Sequence, residues 1–486
     1  MMEQRRSYYF LGIGGIGMSA LARFFHQRGD LVAGYDRTPS PLTDQLQAEG
    51  ISIHFEDDPQ QIPSHIDQIV YTPAVPTDTA EYQYLAASGI PMMKRSQMLG
   101  ELTRGKKCIA VAGSHGKTTT SSMIAYLLHA SPLGCSAFLG GIAKNFDSNM
   151  VVDNKSEWVV VEADEYDRSF LQLHPYYSVI TATDPDHLDI YGSHENLLQA
   201  FEQYASQTHP EGALFVKEGL FEDMHHHHEE HQHHHEETPA AASHSVDTPR
   251  PIHLPEGVKH HSYTAHGIEA DYYAINVRHY RGNIYFDLRT PSRVLYDLQL
   301  TNSSLYNVEN AVAASAVALS CGLDEYQLRH GLKTFAGIRR RFDYHINEKN
   351  IVYIDDYAHH PQEIKATLDS VRYLYPDHRI VGVFQPHLYT RTRDLAPQFA
   401  EVLSSLDELV MLDIYPAREK PIFGVSSKMI LQRVKSMNKY LVEREQLANV
   451  VVALCPQVVV TMGAGDIDRL VPEVEQKLRE AYVNNE

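Results

Sequence analysis

Short apolar runs alternate along the chain with glycine-bearing turns and with stretches whose apolar residues recur every three or four positions. The first run, Tyr8–Leu11, leads into the turn "GIGGIG", and a helix-like stretch follows that turn. A second run, "LVAGYD", ends at Asp36. Strand-like runs that alternate with helix-like stretches indicate an α/β fold with parallel strands.

Two further segments begin with the same alternation, one near Lys106 and one near Gly337. The runs "WVVVEAD" and "YSVITATD" in the second segment are almost wholly apolar, which is typical of strands in a sheet covered on both faces. The third segment has strand-like runs at "IVYIDDY", "RIVGVF", "ELVML" and "VVVTMGAGD". We therefore expect doubly wound sheets, with ligands beyond the carboxyl ends of their strands.

Length and charge narrow the class of protein. A chain of 486 residues is too long for one ordinary core, so two or three domains are expected. The formal net charge of -20 repels a polyanion, which argues against a nucleic-acid partner. Because the chain has neither an apolar run long enough for a bilayer nor the layout of a signal peptide, we expect a cytoplasmic protein without a membrane partner.

One segment, about 224–246, breaks the alternation. It is rich in histidine and glutamate and poor in apolar residues, which predicts a disordered insertion at the surface. Clustered histidines can bind zinc, nickel or copper, but nothing in this stretch fixes their geometry, so the disordered insertion is the preferred interpretation. The four cysteines form no CxxC pair, which argues against a structural zinc site elsewhere.

The stretch "IAVAGSHGKTTT" has the parts of a phosphate-binding loop. Such a loop needs converging backbone N–H groups, a helix N-terminus, a lysine for the distal phosphates and a hydroxyl for Mg²⁺. Lys117 and Thr118 supply the last two, although Val111 stands where the common pattern has its first glycine. The alternative interpretation of this stretch is a turn with a structural role alone. The predicted nucleotide-binding residues are Gly113, Ser114, His115, Gly116, Lys117, Thr118 and Thr119.

Acidic residues follow the next two strand-like runs. Glu162 ends one run, and "TDPDHLDIYG" places Asp184, Asp186, His187 and Asp189 after the other. Taken singly, each is better explained as a helix cap, a surface carboxylate or a hydrogen-bonded side chain. Together with the lysine loop they predict a magnesium site, because oxygen ligands at neighbouring strand ends can converge on one ion.

The turn "GIGGIG" has the pattern of a dinucleotide fingerprint, and Asp36 stands where a ribose-binding acid is expected. The same geometry holds the diphosphate of any nucleotide, so NAD and a UDP-sugar both remain open. The candidate binding residues are Gly14, Gly15, Ile16, Gly17 and Asp36.

Polar clusters lie in the last part of the chain. Asn307 and Asn310 are three residues apart at a predicted helix start and therefore share one face. The stretches "FAGIRRRF", "YIDDYAHHPQE" and "FQPHLYTRTRD" add arginines, histidines and aspartates in predicted loops. Without further information, a solvated or salt-bridged surface is the default interpretation of such charges.

Ten motifs in chain order resemble those of the ATP-dependent Mur ligases of peptidoglycan synthesis. They are "GIGGIGMSALA", "GSHGKTTT", "EADEYDRSF", "DPDHLD", "NVENAVAA", "RRRFDY", "DDYAHHPQE", "QPHLYTRTRDL", "YPAREKPIFGVSS" and "TMGAGDI". The resemblance covers nearly the whole chain apart from the histidine-rich segment. The pair "DDYAHHPQE" and "QPHLYTRT" is similar to the branch of the family that adds alanine.

The resemblance implies three α/β domains. They are a Rossmann-like UDP-sugar domain (1–104), a central P-loop-type ATPase domain (105–336) and a C-terminal Rossmann-like domain (337–486) that receives the amino acid and closes over ATP. The implied reaction joins L-alanine to UDP-N-acetylmuramate with ATP and Mg²⁺, through an acyl phosphate, in a monomer or homodimer. The alternatives are a recycling ligase that attaches a ready-made tripeptide and, in another class, a nicotinamide-dependent oxidoreductase.

The resemblance also assigns roles to single residues. It places Lys117 on the distal phosphates and Thr118, Glu162 and His187 on the metal. The ATP-binding set continues with Asn307 and Asn310 on the adenine side, Arg341 from the third domain and Asp356 on the ribose. The residues expected at the muramate carboxylate and amino-acid end are His359, His387, Tyr389 and Arg391.

Three positions depart from the family pattern. Leu388 replaces the usual arginine after "QPH", so Arg391 or Arg393 has to supply that cationic contact if it is made at all. Tyr306 replaces a histidine before "NV" on the adenine side. Phe201 stands near the place where some relatives carry a carbamylated lysine.

Overall fold

The structure is a computed structural model that describes residues 5–185, 188–221, 250–265, 270–280, 283–417, 419–435 and 438–484, with the backbone alone at Leu188 and Asp189. His187 and the histidine-rich segment, for which a disordered insertion is predicted, lie outside the described residues. Three sheets flanked by helices form the fold in these ranges, and the predicted α/β class is confirmed. Across the same ranges, every helix is too short or too polar to cross a membrane.

The N-terminal sheet is parallel, in the order β3-β2-β1-β4-β5. Its strands are β1 (Ser7–Leu11), β2 (Leu31–Tyr35), β3 (Ser52–His54), β4 (Gln68–Tyr71) and β5 (Met92–Lys94). Its helices are α1 (Ile16–Gln27), α2 (Pro41–Ala48), α3 (Ala80–Ala87) and α4 (Arg95–Thr103). Alternate residues of β1 face two cores: Tyr8 and Phe10 pack with Phe25 of α1, and Tyr9 lies in the core that contains Leu85 of α3.

The central sheet runs β15-β14-β13-β12-β11-β10-β6-β9-β7-β8 in the described part of the chain. Its strands are β6 (Lys107–Ala112), β7 (Ser136–Ala143), β8 (Ser148–Val151), β9 (Trp158–Glu162), β10 (Tyr177–Ile180), β11 (Ala213–Lys217), β12 (His260–Thr264), β13 (Tyr272–Tyr280), β14 (Asn283–Arg289) and β15 (Val294–Thr301). The helices are α5 (Lys117–His129), α6 (Leu188–Tyr191), α7 (His194–Ser206), α8 (Asn307–Ser320) and α9 (Glu325–Thr334). Antiparallel strands extend the parallel centre at both edges.

The C-terminal sheet has the order β16-β17-β21-β18-β19-β20. Among the described strands of this sheet, the edge pair β16–β17 is antiparallel and the other pairs are parallel. The strands are β16 (Asp343–Asn347), β17 (Val352–Asp356), β18 (Ile380–Phe384), β19 (Glu408–Met411), β20 (Lys439–Leu441) and β21 (Val458–Met462). The helices are α10 (Pro361–Leu374), α11 (Tyr389–Leu403), α12 (Lys428–Leu431), α13 (Leu447–Ala453) and α14 (Val471–Tyr482). Strands β17, β18, β19 and β21 are buried along their whole length, as their apolar runs predict.

A buried amide joins the first sheet to the central one. Asn149 in β8 donates hydrogen bonds to the Ile16 carbonyl (2.5 Å) and to Ser19 Oγ (3.0 Å), both in α1. Arg23 of the same helix donates to Asn149 Oδ1 (2.6 Å) and pairs with Glu49 (2.8 Å). Because Asn149 and Arg23 are almost fully buried, these bonds fix α1, and with it the preceding glycine turn, against the central sheet.

Candidate active site

The glycine turn after β6 has the geometry of a phosphate-binding loop. Residues 113–116 connect β6 to α5, and Gly116 caps the helix with φ +80°, in the left-handed region. A Cβ atom on Gly113 would lie 2.2 Å from Thr181 Oγ1, and one on Gly116 would lie 2.8 Å from Asn310 Oδ1. Both positions therefore require glycine, which leaves the backbone N–H groups at the α5 N-terminus open to an anion.

Lys117 is the first residue of α5 and its ammonium is held inside the protein. Its Nζ donates hydrogen bonds to the Gly113 carbonyl (2.6 Å) and to Glu165 Oε1 (2.8 Å). Burial opposes its charge, but the carboxylates of Glu165, Asp164 and Glu162 outweigh that effect and raise the Lys117 pKa above its ordinary value. The side chain is therefore a permanent cation at neutral pH.

A cavity of about 260 Å³ opens beside this loop, and residues of the central and C-terminal sheets line it together. The predicted nucleotide-binding residues in its wall are Ser114, His115, Gly116, Lys117, Thr118, Thr119, Glu162, Asn310, Arg341 and Asp356. Residues that the sequence analysis did not select also line it, among them Lys217, Glu309, Gln362 and Glu363. Lys217 could have been found by the strand-end rule, since it is the last residue of β11.

Asp356, at the end of β17, is bonded across the two domains. Its Oδ2 accepts from Tyr306 Oη (3.1 Å) and from the Phe342 N–H (3.0 Å), and its Oδ1 accepts from the Ala358 N–H (2.8 Å). Burial raises the Asp356 pKa to about 6, although the Arg341 charge opposes the shift. The tyrosine that departs from the family pattern thus contacts the aspartate predicted to bind ribose.

A second, larger cavity of about 680 Å³ lies between the first and central sheets. It is lined by the predicted residues Gly15, Ile16, Gly17 and Asp36, and also by Arg37, Thr72, Arg95 and Asp164. Gly14 is not in the wall, but its N–H donates to Asp36 Oδ2 (2.8 Å), so the aspartate fixes the glycine turn. Arg95 pairs with Asp164 (3.1 Å) across the domain boundary. Arg95 directly follows the last residue of β5.

Glu162 lines both cavities. Its Oε2 accepts a hydrogen bond from the Gly140 N–H of β7 (3.1 Å), and a Cβ atom on Gly140 would lie 2.2 Å from that oxygen. The glycine therefore lets the carboxylate sit against the sheet, at the point where the two cavities meet. A ligand in either cavity can approach the same carboxylate.

The third predicted cluster forms at the carboxyl ends of β17 and β18. The rings of His359 and His387 are 6.0 Å apart, and Arg391 Nη1 lies 3.4 Å from His387 Nδ1. Burial lowers the His359 pKa to about 4, although Glu363 opposes the shift. His359 is therefore neutral at pH 7 and can accept a hydrogen bond. Neither cavity is lined by these three residues.

Other residues singled out in the sequence do not line the two large cavities. Asn307 is not part of the wall of either large cavity. It lines a smaller pocket of about 70 Å³, and its Oδ1 accepts a hydrogen bond from Asn310 Nδ2 (2.9 Å). Tyr389 is the first residue of α11, directly after Leu388, which has φ +70°. Phe201 is buried in the core against Phe170, so nothing at that position faces the cavities.

The residues present fit a magnesium nucleotide. Mg²⁺ is usually held by one or two protein oxygens and by phosphate oxygens and waters. Thr118 and Glu162 line the cavity beside the loop and can supply the protein oxygens. In the ranges that the structure describes, no group of three or more His, Cys, Asp or Glu side chains converges as an all-protein metal site. A partly hydrated ion is the type of metal that this arrangement suits.

Comparison with known proteins decides the family. The chain matches the Mur ligase family catalytic domain at residues 7–107, the Mur ligase middle domain at 111–318 and the Mur ligase glutamate ligase domain at 340–465. It is 48% identical to the UDP-N-acetylmuramate–L-alanine ligase of Parabacteroides distasonis over 475 residues, which is 97% of this chain and 96% of the relative. The chain belongs to the Mur ligase family.

Solved structures agree with this assignment. The crystal structure of the UDP-N-acetylmuramate–alanine ligase of Thermotoga maritima matches this Mur ligase with a TM-score of 0.79 and 28% identity, and covers 98% of this chain and 99% of that one. The murein peptide ligase of Psychrobacter arcticus matches with a TM-score of 0.66 and 19% identity, and covers 97% of this chain and 98% of that one. The second similarity shows the shared fold alone.

The raised Asp356 pKa gives a prediction about stability. A carboxyl whose pKa is higher in the folded than in the unfolded protein stabilises the fold at low pH, and this contribution is lost as pH rises from about 4 to about 6. The melting temperature of Asp356→Asn relative to the wild type should therefore increase between pH 4 and pH 7. Differential scanning calorimetry of both proteins measures this difference.

Asp377→Asn, at an exposed position of the same domain, serves as the control and should show no such trend. A relative melting temperature of Asp356→Asn that stays constant or falls over this range would show that burial does not hold the proton on Asp356.

Proposed function

We propose that this chain joins L-alanine to the lactyl carboxylate of UDP-N-acetylmuramate, with conversion of ATP to ADP and phosphate, in the cytoplasmic synthesis of peptidoglycan precursors. The observation that supports it most directly is the pair of cavities that meet at Glu162, one beside a phosphate-binding loop and one beside a second glycine turn. The 48% identity to an alanine-adding relative over nearly the whole chain supports the choice of amino acid.

The larger cavity is the proposed site of the sugar nucleotide. Its glycine turn offers the α1 N-terminus to a diphosphate, and Arg37 and Arg95 add positive charge to the wall. A diphosphate held there directs the rest of the ligand along the cavity towards Glu162. The muramate carboxylate would then meet the distal phosphate of a nucleotide in the smaller cavity.

A carboxylate does not react with an amine until one of its oxygens becomes a good leaving group. ATP supplies the phosphoryl group that makes the muramate carboxylate an acyl phosphate, which the amine of alanine then attacks with release of phosphate. Charge develops on the phosphoryl oxygens, so the protein has to position and stabilise that charge rather than provide a nucleophile. Lys117, the α5 N-terminus and Arg341 are the groups placed to do this.

We assign the metal to Thr118 and Glu162 in this proposal, with His187 as a further predicted ligand. Mg²⁺ would supply charge neutralisation between the phosphate oxygens and Glu162. Glu165 is paired with Lys117 and Asp164 with Arg95, so Glu162 is the carboxylate of this group whose charge the cation would offset.

The cluster of His359, His387 and Arg391 is proposed to hold the amino acid. A neutral imidazole accepts a hydrogen bond from an amine, and a guanidinium binds a carboxylate. Tyr389 lies at the N-terminus of the same helix as Arg391. Leu388 offers no charge, so the cationic contact that the family pattern gives to that position would come from Arg391 or Arg393. We favour Arg391, since it lies against His387, whereas Arg393 is exposed and pairs with Asp394.

The domain limits 1–104, 105–336 and 337–486 are also proposed. The breaks between the sheets support them: the first sheet's last helix ends at Thr103 and β6 begins at Lys107, while α9 ends at Thr334 and β16 begins at Asp343. A monomer or homodimer stays a prediction from the family resemblance.

Replacement of the loop lysine tests the phosphate site. Lys117→Ala should lower turnover by at least ~10²-fold, because it removes a charge aimed at the transition state. Steady-state release of ADP measures this effect, with Lys155→Ala, at an exposed position in the same domain, as the control. Normal turnover in Lys117→Ala would exclude the proposed role of the loop.

The choice of substrate is tested by phosphate release from ATP in the presence of Mg²⁺ and UDP-N-acetylmuramate. Release should require L-alanine and should not occur when L-alanine is omitted. Release with a ready-made tripeptide but not with L-alanine would assign the chain to the recycling reaction. Reduction of NAD without phosphate release would point to an oxidoreductase instead.

A further inference from the structure

Glu165 is a buried carboxylate that the steps of the proposed reaction do not use. It lies three residues after Glu162 in the "EADEYDRSF" motif, and its side chain is 1% exposed. The Tyr191 hydroxyl donates to its carbonyl oxygen (2.6 Å), which fixes this turn of the chain. Glu165 is not part of the wall of either large cavity, whereas Lys117 lines the smaller one.

The Glu165 carboxylate lies directly behind the Lys117 ammonium. Both carboxylate oxygens are 2.8 Å from Nζ, and Oε1 accepts the hydrogen bond. The Gly113 carbonyl accepts a second one (2.6 Å). An ammonium has three N–H donors, so the two hydrogen bonds described for Lys117 leave one donor for a phosphate oxygen.

Burial decides what Glu165 does when a nucleotide is present. Lys117 could leave Glu165 for a phosphate only by abandoning a carboxylate that is almost wholly out of solvent, and an uncompensated buried charge is strongly unfavourable. Retaining the pair still leaves the third donor for a phosphate oxygen. The ion pair and the phosphate contact are therefore compatible, and Lys117 should make both at once.

We propose that Glu165 is a positioning residue: with the Gly113 carbonyl, it holds the Lys117 ammonium so that its remaining N–H points at the distal phosphate. This inference rests on the proposed function. Glu165 does not touch the nucleotide, and it acts through Lys117 by fixing the position of a charge that would otherwise move on a flexible four-carbon chain. Such pre-organisation matters most when charge develops on the transferred group.

A competing role for Glu165, in which it binds the lysine only until a nucleotide arrives, has the opposite consequence. In that role the Glu165 carboxylate would compete with phosphate for the Lys117 ammonium. Removal of the carboxylate would then tighten nucleotide binding. If it positions the lysine, its removal should slow turnover and leave nucleotide binding nearly unchanged. Turnover and binding therefore separate the two roles.

The test compares Glu165→Gln, Glu165→Asp and wild type in the L-alanine-dependent release of phosphate, and in the binding of a fluorescent ATP analogue with Mg²⁺. We expect kcat to fall about 10- to 100-fold in Glu165→Gln, with the dissociation constant of the analogue changed less than about threefold. Glu165→Asp should recover part of the lost kcat. Glu157→Gln, which removes an exposed glutamate paired with Lys107 at 3.1 Å, is the matched control and should keep wild-type kcat.

Unchanged kcat in Glu165→Gln, or tighter binding of the analogue with kcat retained, would overturn the proposal. If Glu165→Gln does not fold, Tyr191→Phe takes its place, since it loosens the Glu165 backbone without removing the carboxylate. It should lower kcat several-fold, and full activity in it would equally overturn the proposal. An inactive wild type that still binds the analogue would instead refute the proposed function.

Discussion

The site depends on the position of one carboxylate, Glu162, which lines both large cavities. It ends a buried strand of the central sheet, is bonded to the Gly140 N–H and forms part of the wall of both large cavities. Two anionic ligands, a carboxylate and a phosphate chain, would repel one another if they met in a neutral pocket. In the proposed reaction, a site that brings them together needs fixed positive charge, which Lys117 and Arg341 offer, and Thr118 and Glu162 offer oxygen ligands for the proposed Mg²⁺.

All three sheets contribute in the same way to the region around Glu162 where the two cavities adjoin. In each, parallel strands end at the site, and the loops that follow them carry the polar side chains. The buried Asn149 ties the first sheet to the central one by bonding to α1, the helix that follows the first glycine turn. The third domain reaches the smaller cavity through Arg341, Asp356 and Glu363, and its contact with the central domain includes the Tyr306–Asp356 hydrogen bond. We expect this domain to close over the bound ligands and to exclude water from the site.

Features set by local sequence could be predicted, and features set by contacts between distant segments could not. The glycine turn, Lys117 and the start of α5 follow from a short stretch of chain, and the structure places them together. Lys217 and Arg95, at the ends of β11 and β5, could have been selected by their position, but a lone charge there does not indicate which cavity it will face; Glu363, in α10, carries no such signal. The antiparallel edges of the central sheet were missed for a related reason, since pairing at β13–β15 depends on neighbours rather than on apolar pattern. His187 lies outside the described residues, so its predicted place at the metal stays a prediction.

The central claim is that the carboxylate in one cavity takes the terminal phosphoryl group of a nucleotide in the other. UDP-N-acetylmuramate labelled with ¹⁸O in its lactyl carboxylate tests it directly. Transfer of the phosphoryl group to that carboxylate, followed by attack of alanine, leaves a labelled oxygen on the phosphate, so mass spectrometry should find one ¹⁸O in each phosphate released. Unlabelled phosphate, formed together with the alanyl product, would contradict the account.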